Sequence, residues 1–126
     1  MIPSHLLGPL ESEVMGVMWE IERAMVRQVL AILQERRSIA YTTVMTIMNN
    51  LVNKGLLQRT PQGKAYLYRV ALSREAFLRR ASEEAVSDVL ARFGDLAIAR
   101  FLEMSAKLPP EDLERLRELT TEEDAT

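Results

Sequence analysis

Residues Tyr41–Gly55, YTTVMTIMNNLVNKG, hold two patterns at once. At about 100° per residue, Val44, Met45, Ile47, Met48, Leu51 and Val52 fill one continuous arc of a helix. Thr42, Thr43, Thr46, Asn49, Asn50, Asn53 and Lys54 fill the other. Gly55 suits the left-handed residue that ends such a helix. The polar arc is unusual in kind, because its side chains are short hydrogen-bonding groups and it carries almost no charge. An ordinary solvated face would use Glu and Lys, which form helices better than Thr and Asn. Base-edge reading supplies a reason for the choice. Asn pairs bidentately with adenine, and the Thr methyl meets the thymine methyl. Short side chains also let a helix lie deep in a major groove. The alternative is a merely polar surface helix.

Working upstream, Val26, Val29, Leu30 and Leu33 define a helix that ends near Arg36 and Arg37, and Ser38–Ala40 is a short turn. A helix, a short turn and a second helix with a reading face is the helix-turn-helix arrangement. Further upstream, Leu10, Val14, Val17, Met18 and Ile21 recur at helical spacing behind Pro9. Met15 and Trp19 form a second apolar stripe on that helix, which needs its own cover from later helices or a partner chain.

Downstream of Gly55 the period changes. Leu56–Thr60 and Ala65–Val70 read as two short strands around a Pro61–Lys64 turn. Arg59 and Arg69 lie on the strands and Lys64 at the tip, where they could reach phosphates, which set position rather than sequence. Tyr66 and Tyr68 share a side by strand alternation and read as core and hydrogen-bonding residues.

The net charge of −2 conceals an asymmetry. Residues 1–70 carry eight Lys and Arg against five Glu, and residues 71–126 carry eight against thirteen Asp and Glu. Between residues 36 and 74 there are seven basic side chains and no acidic one. A basic stretch on an acidic protein points to an anionic partner for that stretch alone. With no cysteine, disulfides, thiolate metal sites and cysteine nucleophiles are excluded, which fits a reducing cytoplasm. His5 is the single histidine and supports no Ser-His or His-metal set. No glycine-rich phosphate loop and no membrane-length apolar run occurs, and the N-terminus lacks a signal-peptide pattern. An enzyme, a cofactor and a metal are not expected.

Beyond Ser73, a plausible N-cap, Phe77 to Phe93 marks a long helix broken by Gly94. A fifth helix follows over 96–107, capped by Asp95, and a sixth runs from Glu111 to Leu119, ahead of an acidic tail. The fifth is apolar almost all round, with Leu96, Ile98, Phe101 and Leu102 foremost, and three such helices cannot bury it by themselves. A second copy can, with Leu113 and Leu116 contributing, and a two-fold dimer would set two reading helices on a palindrome. The alternative is that these helices fold back on the N-terminal part.

Leu7–Met15, Trp19–Glu20, Ala40–Thr46, Leu51–Leu57 and Tyr66–Arg69 together resemble the penicillinase-repressor family, the BlaI/MecI type. The resemblance is densest over residues 7–70. It implies a winged-helix DNA-binding domain, placed at 1–71, and a helical dimerisation domain, placed at 72–126. It also implies repression from a dyad operator, with Thr42, Thr43, Thr46 and Asn50 at positions that face DNA. In better-known members a membrane sensor protease detects β-lactam and the repressor is cut in its dimerisation domain. Relatives often carry a basic residue where this chain has Asn50 and Asn53. Their cleaved bond is Asn-Phe, whose nearest match here is Arg100–Phe101. A copper-responsive branch uses C-terminal cysteines, which this chain lacks.

The expected protein is therefore a cytoplasmic homodimeric repressor of β-lactam-resistance or related stress genes. Thr42, Thr43, Thr46, Asn49, Asn50 and Asn53 read bases, and Lys54, Arg59 and Lys64 hold phosphates. Two rivals remain. One is a protein-protein adaptor using this helix and the Met15–Trp19 stripe, and the other is a repressor answering to a small ligand.

Overall fold

A computed structural model describes residues 7–124, and side chains as far as residue 120. His5 and the last residues of the acidic tail lie outside the described residues. The element order is α1 (Pro9–Ile21), β1 (Arg23–Ala24), α2 (Val26–Gln34), α3 (Tyr41–Asn53), β2 (Leu57–Gln62), β3 (Ala65–Val70), α4 (Arg74–Phe93), α5 (Asp95–Ser105) and α6 (Pro110–Asp124). The fold is mainly helical with a small antiparallel sheet in the order β1-β3-β2. It comprises a helix-turn-helix, a wing and C-terminal helices, as the sequence led one to expect.

The ends of these elements have local causes. Gly8 precedes α1, and its N–H donates to the Glu11 carboxylate at 3.1 Å. Helix α3 stops at Gly55, whose φ is +82°. There the Leu56 N–H reaches the Leu51 carbonyl and the Gly55 N–H reaches that of Val52, each at 3.0 Å. These are the paired bonds of a Schellman stop. Ser73 Oγ accepts the Ala76 N–H at 3.1 Å, so it caps α4 as expected.

Two expectations about the sheet need correction. The turn expected over Pro61–Lys64 is only Gly63–Lys64, because Pro61 and Gln62 pair with Tyr66 and Ala65. Proline is tolerated there because β2 is an edge strand. Gly63, with φ +63°, takes the first central position of the two-residue hairpin. The third strand, β1, was not expected. It pairs Arg23 with Arg69 and Ala24 with Tyr68. At two residues it is too short to show a period.

The chain divides into two compact units, one running to Glu84 and the other starting at Ala85. The expected boundary lay at 71/72. The first unit continues into α4 because Phe77 is buried in its core and Ala81 packs against that core. The core itself gathers Val14, Met15, Met18, Val29, Leu33, Val44, Met48, Leu51, Leu56, Leu57 and Tyr68. Met15 and Trp19 thus find their cover within the same chain. Trp19 stacks obliquely on Phe77, with ring centroids 5.6 Å apart, and its Nε1 donates to the Leu72 carbonyl at 3.0 Å. The stripe that a protein adaptor would have used is already occupied. In the second unit no described side chain is buried.

Candidate nucleic-acid interface

The buried side of α3 is set by Val44, Ile47, Met48 and Leu51. Its outward side follows by helical geometry. Thr42, Thr46, Asn50 and Asn53 are exposed and Thr43 is half-buried. Among the described residues no side-chain partner engages these five. They form one contiguous run of small donors and acceptors along the solvent side.

Two residues of the same polar arc are engaged elsewhere. Asn49 lies at the edge facing the wing. Its Oδ1 accepts from Arg59 Nη1 at 2.8 Å and from the Tyr68 hydroxyl at 2.7 Å. Lys54 lies at the opposite edge, facing α1, and its Nζ donates to Glu11 Oε1 at 2.8 Å. Partial burial pushes the Glu11 carboxyl up. The Lys54 hydrogen bond, the Gly8 N–H and the Lys54 charge outweigh that and hold it below its ordinary value of 4.5. The Lys54 charge is therefore already paired within the chain.

Strand alternation sorts the basic side chains of the wing. Arg59 stands opposite Tyr68, whereas Arg69 stands opposite Gln58 and Arg23. Arg59 and Arg69 thus belong to opposite faces, and Arg59 is the one on the α3 side. Its guanidinium lies 4.4 Å from the centroid of the Tyr66 ring, a cation–π contact. Tyr68 is 1% exposed and Tyr66 41%. Tyr68 is thus the core and hydrogen-bonding residue expected, and Tyr66 is a platform for Arg59. Lys64 is exposed at the tip. A cleft of about 330 Å³ separates the start of α2 from the wing, lined by Arg27, Gln28, Tyr41, Met45, Lys64 and Tyr66 among others. Among the described residues no group of three or more acidic or histidine side chains could hold a metal.

Comparison with known families matches residues 7–122 to the penicillinase repressors. The chain belongs to that family. It is a family of transcriptional regulators, not enzymes. The transcriptional regulator BlaI of Mycobacterium tuberculosis is 43% identical over 63 residues, which is 49% of this chain and 46% of the relative. The chain thus spans about half the length of the BlaI regulators it matches. An uncharacterised 16.5 kDa protein of Latilactobacillus sakei is 23% identical over 116 residues, 92% of this chain and 79% of that one. Among solved structures, the DNA-binding domain of the repressor BlaI superposes with a TM-score of 0.52 at 22% identity, over 60% of this chain and 93% of that domain. The hsRosR-S1 complex structure gives 0.51 at 17% identity, over 97% and 96%. Both are likenesses of fold.

Within this penicillinase-repressor fold, some site neighbours escaped sequence reasoning. Met45 falls on the apolar arc of the helical wheel, but it is 36% exposed and lines the cleft. The buried residues of α3 centre about 110° away from it on the helical wheel, so Met45 sits at the rim. Tyr41 at i and Met45 at i+4 share that rim, a spacing that could have marked them. Arg27 and Gln28 reach the cleft only through the tertiary position of α2, and no local signal marks them.

Proposed function

We propose that this chain represses transcription by binding a palindromic operator as a homodimer. The observation that carries the reading is the unengaged Thr and Asn face of α3, flanked by Arg59 and Lys64 on the wing. In this reading Thr42, Thr43, Thr46, Asn50 and Asn53 meet base edges, while Arg59 and Lys64 meet phosphates. Asn49 and Lys54 border the same surface, and their internal partners limit what each can offer to DNA. The BlaI name of the mycobacterial relative and the likeness in fold to the DNA-binding domain of the repressor BlaI support the same direction.

Dimerisation is assigned to the second unit. Leu96, Ile98, Phe101, Leu102 and Leu116 are exposed and Leu113 is half-buried, with Phe101 at 63% and Leu102 at 59%. Ala85, Val86, Val89, Leu90, Ala97, Ile98 and Phe101 line an apolar groove of about 370 Å³ between α4 and α5. Exposed apolar surface on this scale calls for a partner, and a second copy is the simplest one. It would bring two α3 helices to the two half-sites of a palindrome.

Inactivation is assigned to a membrane sensor protease that cuts Arg100–Phe101, derepressing β-lactam-resistance or related stress genes. Both residues are exposed in the middle of α5. A helical bond must unwind before it can enter a protease cleft as an extended strand. Mass spectrometry of the protein from β-lactam-treated cells should find a fragment ending at Arg100. An intact chain in derepressed cells would remove proteolysis from the reading.

Footprinting on the DNA upstream of the chain's own gene tests the central claim. Protection with two-fold symmetry over about one to two helical turns is expected. Salt-sensitive smearing without a protected site would overturn it.

A further inference from the structure

We infer that Asn49 is a positioning residue that fixes the wing against α3, rather than a reader of bases. The inference rests on the repressor reading above and concerns how its DNA-binding surface is held together. Asn49 looks like a base reader in sequence, since it stands in a run of Thr and Asn. In the fold its Oδ1 is taken by two donors from different strands, Arg59 Nη1 at 2.8 Å and the Tyr68 hydroxyl at 2.7 Å. Bidentate pairing with adenine needs that same oxygen as an acceptor for the adenine amino group. To read adenine, Asn49 would have to give up Arg59 and leave the hydroxyl of the buried Tyr68 without its acceptor.

The arrangement instead reads as a strut. Tyr68 is anchored in the core and holds Asn49 from β3. Asn49 and the Tyr66 ring then hold Arg59 from two sides, Tyr66 at 4.4 Å. The guanidinium is thereby preorganised on the α3 side of the wing, and ordering it costs little when a phosphate arrives. Base reading is left to Thr42, Thr43, Thr46, Asn50 and Asn53.

The test uses the full chain and duplexes that the wild type selects from a random library, with each base pair then varied singly. Asn49→Ala is expected to weaken all of these duplexes by a common factor, about 2- to 10-fold, the worth of one hydrogen bond. It should also reduce the salt slope by up to roughly one unit, as the held Arg59 loses its phosphate. Asn49→Asp keeps the acceptor but cannot donate to adenine N7, so it should keep the wild-type base preferences. Tyr68 is buried and cannot touch DNA. Tyr68→Phe should therefore produce the same uniform weakening, and adding Asn49→Ala to it should cost less than the two effects multiplied. Flattened preference at a single base pair in Asn49→Ala and Asn49→Asp would overturn the inference. So would a Tyr68→Phe variant that binds like wild type. If the wild type selects no sequence, the repressor reading fails by itself. The strut is then judged by urea unfolding, where non-additive Asn49→Ala and Tyr68→Phe effects support it and additive ones overturn it.

Discussion

Within the polar arc of α3, neighbouring residues of the same type do different work because of where their oxygens point. Asn50 is exposed and Asn49 is clasped by Arg59 and Tyr68. Asn50→Ala should cost about 1–3 kcal/mol of binding, concentrated at particular base pairs, as affinities for singly substituted operators would show. Glu11 gives a pH prediction. Its carboxyl titrates below 4.5 in the folded chain because Lys54 and the Gly8 N–H favour the charged form over the cost of burial. A depressed carboxyl contributes stability that is complete above its unfolded value and lost as pH falls through the folded one. Urea unfolding of Glu11→Gln should therefore lose less stability than wild type on acidification below about pH 4.5. Glu22 has φ +70° and is the non-glycine residue of positive φ among those described. It is held there because its N–H donates to Met18 and its carbonyl accepts from Val70. Glu22→Gly should raise unfolding stability by about 0.5–1 kcal/mol, the relief of left-handed strain less the added freedom of the unfolded chain.

At the scale of elements, the wing depends on a two-residue turn and on register with α3. Lys64 sits in that turn, clear of the core. Lys64→Ala should weaken binding to every duplex and flatten the salt slope by about one unit, with preferences intact. Titrations of binding against salt check this, and an unchanged slope would take the wing tip off the phosphates. The helix elements were legible because they carry a period and a boundary residue: Gly55 at the end of α3, Ser73 at the start of α4, Gly94 between α4 and α5. The strands were less so. Pro61 signals a turn in sequence but lies in β2, because an edge strand has a side where a missing N–H costs nothing. Arg23–Ala24 is a strand only because β3 lies beside it.

At the scale of the molecule, the two compact units differ in how they are finished. The first closes its own core, and the second leaves Phe93, Leu96, Phe101 and Met104 in solvent. Phe101→Glu should convert a dimer into monomers in sedimentation and abolish the symmetric footprint, leaving only weak half-site binding. A dimer that survives it would move the interface elsewhere. The sequence by itself determined the order of helices, the hairpin and the Thr and Asn face, since periodicity, caps and turn residues are local properties. Sequence also shows α5 to be apolar almost all round, since composition around a single helix is a local property. Tertiary structure alone decided that Trp19 is covered by Phe77 and Leu72, residues more than fifty positions away. It also decided that Asn49 and Lys54 spend their hydrogen bonds inside the chain. Both sit at the rims of α3, and what stands opposite a helix rim depends on the packing of α1 and the wing, which no spacing within residues 41–55 encodes.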